Sequence, residues 1–306
     1  MYHLSELLTT LGIHFERLGQ KREDLFLRIA PVKQSGEDCL IFIHKPDELT
    51  PEMLKHTSFA VALMEYGWGM GKASKLNSMN LSIFLVKHPR LVLAGILSML
   101  YPDEDAFEAG IHPSSSIHPE ADIHSTVSIG QNCMIGKCKI GENSRIHAYT
   151  TIKDNVIIGK DVIIREYCMI GGCGFGFVRD EADRLVRIPH IGKVIIEDHV
   201  ELFPYVNVDR ATLGETIVKT GAKIDHYAHI GHNSTVGDHS VITAGTVLCG
   251  GSSIGKRSWA GVHSIIKEKI AVGDDVTLGL GSVVTEDIQN GTVAAGVPAK
   301  PIIKEP

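Results

Sequence analysis

Aromatic residues are scarce in this 306-residue chain, at 6%, which argues against a globule built on an aromatic-rich core. None of the six cysteines (Cys39, Cys133, Cys138, Cys168, Cys173 and Cys249) stands two residues from another. That excludes the usual paired-thiol zinc and redox motifs, and the scatter reads as reduced, structural thiols of a cytoplasmic protein. No uninterrupted apolar run reaches the length of a membrane span. The first residues, MYHLSELLTTLGIHFERLG, lack the basic-then-apolar layout of a secretion signal, so a cytoplasmic location is expected. Basic charge is also short: the net charge of −6 excludes a general binder of nucleic acid or anionic membranes. Glycine, by contrast, is plentiful at 31 residues. A repetitive β-architecture with tight corners suits that balance.

The chain has two halves with different patterning. Residues 1–107 mix signals. Leu4, Leu7, Leu8 and Leu11 share a helical stripe, and Asp38–His44 is a short apolar strand. Met53–Tyr66 and RLVLAGILSMLY after Pro89 read as helices. The expectation is a small α/β domain, ended by the polar linker Tyr101–Asp105.

From Ile111 aliphatic residues recur every six positions. The series runs Ile111, Ile117, Ile123, Ile129, Ile135, then slips by one to Ile140 and continues to Ile170. Ile196, Leu202 and Val208 follow, and the longest run extends from Val218 through Ile224 and Ile230 to Val284. Neither a 3.6-residue helix nor a hairpin strand has that period. A parallel β-helix does, with each aliphatic residue pointing to the axis and each coil stacking on the last. Three repeats make a triangular coil of about 18 residues, and the slots amount to about nine coils, roughly 40 Å of stack. The expected domains are 1–107, a β-helix over 108–289, and a tail over 290–306.

The run is broken between Ile170 and Ile196 by GGCGFGFVRDEADRLVRIPHIGKVI. An insertion at about 172–192 is too long for a corner, and repeat proteins carry such loops on one face, often the binding face. Phe175 and Phe177 are candidate substrate contacts, with Gly174 and Gly176 making the backbone approachable; a tolerated surface loop is the plainer reading.

Three segments, GGCGFGFVRDEADRLVRIPHIGKVIIEDHVEL, YVNVDRATLGETIVKTGAKID and AHIGHNSTVGD, together resemble the UDP-3-O-acyl-glucosamine N-acyltransferases of lipid A biosynthesis, within the hexapeptide-repeat acyltransferases. DCLIFIHKPDE and FLVKHPRLVLAGILSMLY are similar to the nucleotide-sugar-binding domain of that family. The resemblance implies a left-handed coil, a homotrimer with sites between subunits, and no cofactor or metal. It also implies acyl-CoA or acyl carrier protein as co-substrate and a nucleotide-linked amino sugar as acceptor. Three features depart from the family. The chain stops at KPIIKEP without the C-terminal helices that engage acyl carrier protein, and AAGVPAKPI resembles acetyl-CoA-dependent relatives. A second active-site histidine aligns with Lys269. Positions that contact uracil hold Lys45 and Glu48. These favour a CoA thioester whose phosphate meets Lys300, and an acceptor with relaxed uracil selectivity stacked on Phe42; Phe42 as plain strand core is the rival reading.

Acyl transfer from a thioester to an amine needs a base for the attacking nitrogen and a donor for the developing oxyanion. An imidazole near its unperturbed pKa suits the first role. His232, in IGHNS, matches the family's base; otherwise it is one surface histidine among sixteen. Gly250 lies 18 residues further, one coil along on the same edge. Its N–H can meet the oxyanion and its missing Cβ lets substrate close in, or it is simply a corner. Asp225 matches a family position and orients the base, holds sugar, or caps a corner. His226 is a weaker candidate sugar contact. The spacing of His226, His229 and His232 keeps open a metal-dependent hydratase like the β-helical carbonic anhydrases, although that class's ligand pattern is absent. A non-catalytic β-helix is the third alternative.

Overall fold

The computed structural model describes residues 1–18, 24–31, 39–43, 60–65, 82–101 and 109–302. Two compact units divide the chain, Met1–Ala106 and Phe107–Pro306.

In the first unit, β1 (Tyr2–His3) leads into α1 (Leu4–Thr10), which buries Leu4 and Leu8. Then come β2 (Glu16–Leu18), β3 (Leu25–Phe26), β4 (Arg28–Ala30), β5 (Cys39–Phe42), β6 (Ala60–Glu65), β7 (Ser82–Val86) and α2 (Pro89–Leu100). One sheet has the order β2-β7-β6-β5-β4, with β2 antiparallel to β7 and the other pairs parallel. Leu4, Leu8, Phe26, Leu40, Phe84, Val86, Val92 and Ile96 form its core. Pro89 opens α2, where its fixed φ and missing N–H cost nothing. The helix expected over Met53–Tyr66 is corrected: residues 60–65 form the strand β6 between β5 and β7, and the segment before it lies outside the described residues. An apolar run such as AVALM fits a strand with parallel neighbours on both sides as well as it fits a helix, and periodicity alone does not separate the two.

The second unit is the parallel β-helix, with three sheets of 11, 8 and 9 strands, most only two residues long. Except for the last strand, Lys300–Pro301, each strand pairs in parallel with the strand one coil away, as in Ile224↔Ile242, Ile230↔Leu248 and Val236↔Ile254. The six-residue slots from Ile129 to Val284 are buried and make one continuous core. The stack also outlasts the expected boundary at 289. Ile288 bridges to Val272, and Val293–Ala295 pairs with Thr277–Leu278, so Ala294 fills another axial slot. A short step from Val284 to Ile288 breaks the six-residue count there and hides this last coil in the sequence.

Two features of the corners were not legible from the aliphatic period. At most corners the residue three places after the inward aliphatic takes a left-handed φ, whether Asn233 (61°), Lys269 (62°) or Gly251 (72°). The glycine directly after the aliphatic serves something else, close approach of the next coil: a Cβ on Gly231 would stand 2.7 Å from Leu248 O and 2.9 Å from Gly250 N. Four places after the aliphatic a small residue is buried, often Ser or Thr. Its hydroxyl stitches coils together. Ser258 Oγ donates to Gly273 O and accepts from Val276 N, both at 2.9 Å. Ser144 does the same with Gly159 O and Val162 N. Backbone groups that turn inward at the corners are thereby matched, which buried polar groups require.

Candidate active site

One corner ridge, following the nine-stranded sheet, departs from the repeat more than the other two. The inserted loop leaves the stack there after Ile170 and carries a hairpin, Phe177–Arg179 paired with Leu185–Arg187. The next coil also carries extra residues at the same corner, between Val208 and the strand Glu215–Val218. The coil after that presents His232, between the strands His229–Ile230 and Thr235–Val236.

The surroundings of His232 fix its tautomer. Its Nδ1 lies 3.1 Å from Asn233 Oδ1 and 3.4 Å from Thr212 Oγ1. Asn233 cannot be flipped, because Thr212 N donates to its Oδ1 at 3.0 Å and its Nδ2 donates to Leu213 O at 2.7 Å. An oxygen faces Nδ1, so Nδ1 carries the proton and donates. Nε2 is left with its lone pair, the form a general base needs.

That lone pair looks toward Gly250. A Cβ on Gly250 would lie 2.5 Å from His232 Nε2, so glycine is what lets the imidazole lie against the backbone of the next coil. Flanking amides are engaged, Cys249 N with Ile266 O and Gly251 N with His232 O. Among the described residues, no acceptor takes the Gly250 N–H. A base and an unused donor therefore lie side by side on one ridge.

Other candidates are placed elsewhere. Asp225 sits on a different corner, where it accepts from His226 Nδ1 at 2.7 Å, from His226 N at 2.8 Å and from Ala244 N at 3.1 Å. Partial burial pushes its carboxyl pKa up, but the His226 and Ala244 bonds outweigh this and hold it below the usual carboxylate value. Within one chain Asp225 therefore caps a corner and pairs with His226. His229 lies on the face of the nine-stranded sheet, its Nδ1 2.9 Å from Asn207 Nδ2 and its Nε2 3.7 Å from Asp209. His226, His229 and His232 point to three separate places in the chain. Phe175 is 88% exposed and meets Phe177 edge-on at 5.0 Å, while Arg187 lies over Phe177 at 4.8 Å. Phe42 is half-buried and packs against the core of the first unit. Lys45 and Glu48 lie outside the described residues. Lys300 is exposed on a strand antiparallel to Val293–Ala295.

Thr212, Asn233 and His190 escaped the sequence reading. His190 closes the inserted loop and packs edge-on against His232, ring centroids 4.9 Å apart at 74°. The glycines Gly174 and Gly176 have a cause in that packing: a Cβ on either would come within 2.7 or 2.9 Å of the His190 ring.

Fold and ridge define a parallel β-helix that presents a tautomer-fixed imidazole beside a glycine. The family model "Bacterial transferase hexapeptide (six repeats)" matches residues 137–172 and 215–250 of the chain. Curated relatives agree. The UDP-3-O-acylglucosamine N-acyltransferase of Methylococcus capsulatus is 40% identical over 145 residues, 47% of this chain and 41% of that protein. A protein of the same name from Gloeobacter violaceus, numbered 1 there, is 36% identical, covering 56% of this chain and 54% of its own length. The chain thus spans about half the length of these first relatives. The protein of that name from Coxiella burnetii is 27% identical across 96% of this chain and 88% of its own. Among solved structures, the UDP-N-acetylglucosamine acyltransferase of Francisella novicida superposes with TM-score 0.58 at 25% identity, covering 63% of this chain and 70% of that one. The UDP-N-acetylglucosamine O-acyltransferase of Moraxella catarrhalis shares the fold at TM-score 0.55 and 23% identity, over 63% and 73% of the two chains.

Proposed function

We propose that this protein is an N-acyltransferase that moves an acyl group from a CoA or acyl carrier protein thioester to the amine of a nucleotide-linked amino sugar, for a cell-surface glycan such as lipid A. The observation that carries the reading is His232, whose Nδ1 donates to Asn233 Oδ1 and whose Nε2 lies against Gly250, a residue with an unused N–H. The relatives named UDP-3-O-acylglucosamine N-acyltransferase supply the substrate class.

The neutral amine attacks the thioester carbonyl, and His232 Nε2 takes the proton that the new C–N bond makes acidic. The oxyanion of the tetrahedral intermediate is held by the Gly250 N–H. Collapse re-forms the carbonyl and expels the thiolate, which takes the proton back from the imidazolium. Atoms and charge balance with no enzyme-bound intermediate. The activity assay pairs acetyl-CoA, longer acyl-CoAs and acyl carrier protein thioesters with UDP-, TDP- and GDP-linked amino sugars, and follows amide formation by mass spectrometry. At least one pair is expected to yield a nucleotide-sugar amide. Absence of amide in every pair would overturn the reading. Cys133, Cys138, Cys168, Cys173 and Cys249 are free thiols, in keeping with a reducing compartment where such donors are made.

The reading includes a homotrimer. Ile157, Ile195 and Ile217 stand in register on the outward side of one sheet and form an aliphatic strip that a neighbouring copy can cover. Light scattering is expected to give about three times the 33.3 kDa chain mass; a monomer at working concentration would sink this part.

A further inference from the structure

A hydrogen bond at Nδ1 pins one point of the His232 ring but leaves the ring free to swing about that point. Something else must hold its plane. The side chain in place to do so is His190, which no part of the repeat predicts. It is 6% exposed, at the end of the inserted loop, and its edge-on contact covers one side of the His232 ring. His190 is itself anchored. Its Nδ1 donates to Ile188 O at 3.0 Å, and Ile188 N donates to Gly176 O at 2.9 Å. The loop then closes over the ring where Gly174 and Gly176 leave room. The spot that a Cβ on Gly174 would occupy lies 2.7 Å from His190 Nε2 and 3.0 Å from His232 Cβ, so both side chains converge there. With Nδ1 donating, His190 Nε2 keeps a lone pair, yet it is buried and has no hydrogen-bond partner. A buried unmatched acceptor is a net cost, and what the imidazole supplies against it is the Nδ1 bond to Ile188 O that fixes the ring in the loop.

We infer that His190 is a positioning residue: its loop-anchored imidazole walls the His232 ring so that Nε2 stays directed toward Gly250. The inference rests on the acyl-transfer reading of His232. Through His190 the inserted loop, the main break in the repeat, becomes part of the catalytic apparatus without itself touching the reacting atoms.

The test compares His190→Ala with His190→Phe in the full chain, using the best donor–acceptor pair from the activity assay. A misdirected base costs rate rather than affinity, so His190→Ala should lower kcat by about 10- to 100-fold while KM moves less than about threefold. His190→Phe restores a ring wall without either nitrogen, and its kcat should stay within about fivefold of the parent. If the Ala variant does not fold, His190→Gln takes its place. An unchanged kcat in the Ala or Gln variant, or a Phe variant no better than it, would overturn the inference. A second readout needs no turnover. The 15N shifts of His232 should report a single Nδ1–H form in the parent and the Phe variant, and a tautomer mixture in the Ala variant. An unchanged His232 signal in the Ala variant counts against the inference. Should the parent protein transfer no acyl group, the functional reading fails on its own, and these shifts still decide whether His190 positions His232.

Discussion

His232→Ala is expected to lower kcat by about two to four orders of magnitude, the usual weight of a positioned general base. The loss should fall on kcat more than on KM, because proton removal is required only as the nitrogen attacks. Folding should persist. The side chain is half-buried on a corner ridge, outside the axial core of Ile230, Leu248 and their neighbours. Circular dichroism and light scattering on the variant should match the parent. A pH–rate profile supplies the sharper criterion: the limb that reports the general base in the parent should be missing from the variant. A kcat within about threefold of the parent across the pH range would assign the base to another group.

How much of this was legible beforehand depends on whether a feature shares the six-residue period. Ile224, Ile230 and Val236 announce their places because every coil repeats the same inward slot, and His232 and Gly250 follow from it, one coil apart on one edge. Thr212 was hidden for the opposite reason. It belongs to extra residues between Val208 and Glu215, and the count treats such an excursion only as a gap. His190 was hidden twice, once by the inserted loop and once by distance along the chain from His232. The loop's glycines were the available signal. Gly174 and Gly176 read as room for substrate, and the structure fills that room with an imidazole. Asp225 was left between orienting the base, holding sugar and capping a corner. Its family match suggested a partner for the base, but six residues carry the chain to the next corner, and its oxygens are taken by His226 and Ala244. In the first unit, AVALM lacks any period that separates helix from strand, and its place between two parallel neighbours decided the matter.

Gly250→Ala should be the second most damaging single change, and its neighbour provides the control. Gly250 has no left-handed φ, so alanine is tolerable to the backbone there. The added methyl is not tolerable to the site. It would stand 2.5 Å from His232 Nε2 and 2.7 Å from Cε1, where the base meets its proton. Either the imidazole swings away or the methyl displaces the reacting nitrogen, and displacement by about 1 Å is enough to cost roughly 100-fold. The adjacent amide, whose N–H is to hold the oxyanion, shifts with it. The combined expectation is a loss of about 100- to 1,000-fold in kcat/KM. Thermal stability should change little, since the half-buried imidazole lies outside the axial core and can swing aside. Gly251→Ala should behave in the opposite way. Gly251 sits at φ +72°, and an alanine there strains the backbone by about 1–2 kcal/mol. Its methyl, however, would meet only Lys269 Cγ, at 3.6 Å, an ordinary contact well away from the imidazole. The Gly251 variant should therefore melt at lower temperature and keep most of its activity, while the Gly250 variant keeps its melting temperature and loses its activity. If both variants lose activity in proportion to stability, this corner is structural only, and the oxyanion donor must be sought on another amide.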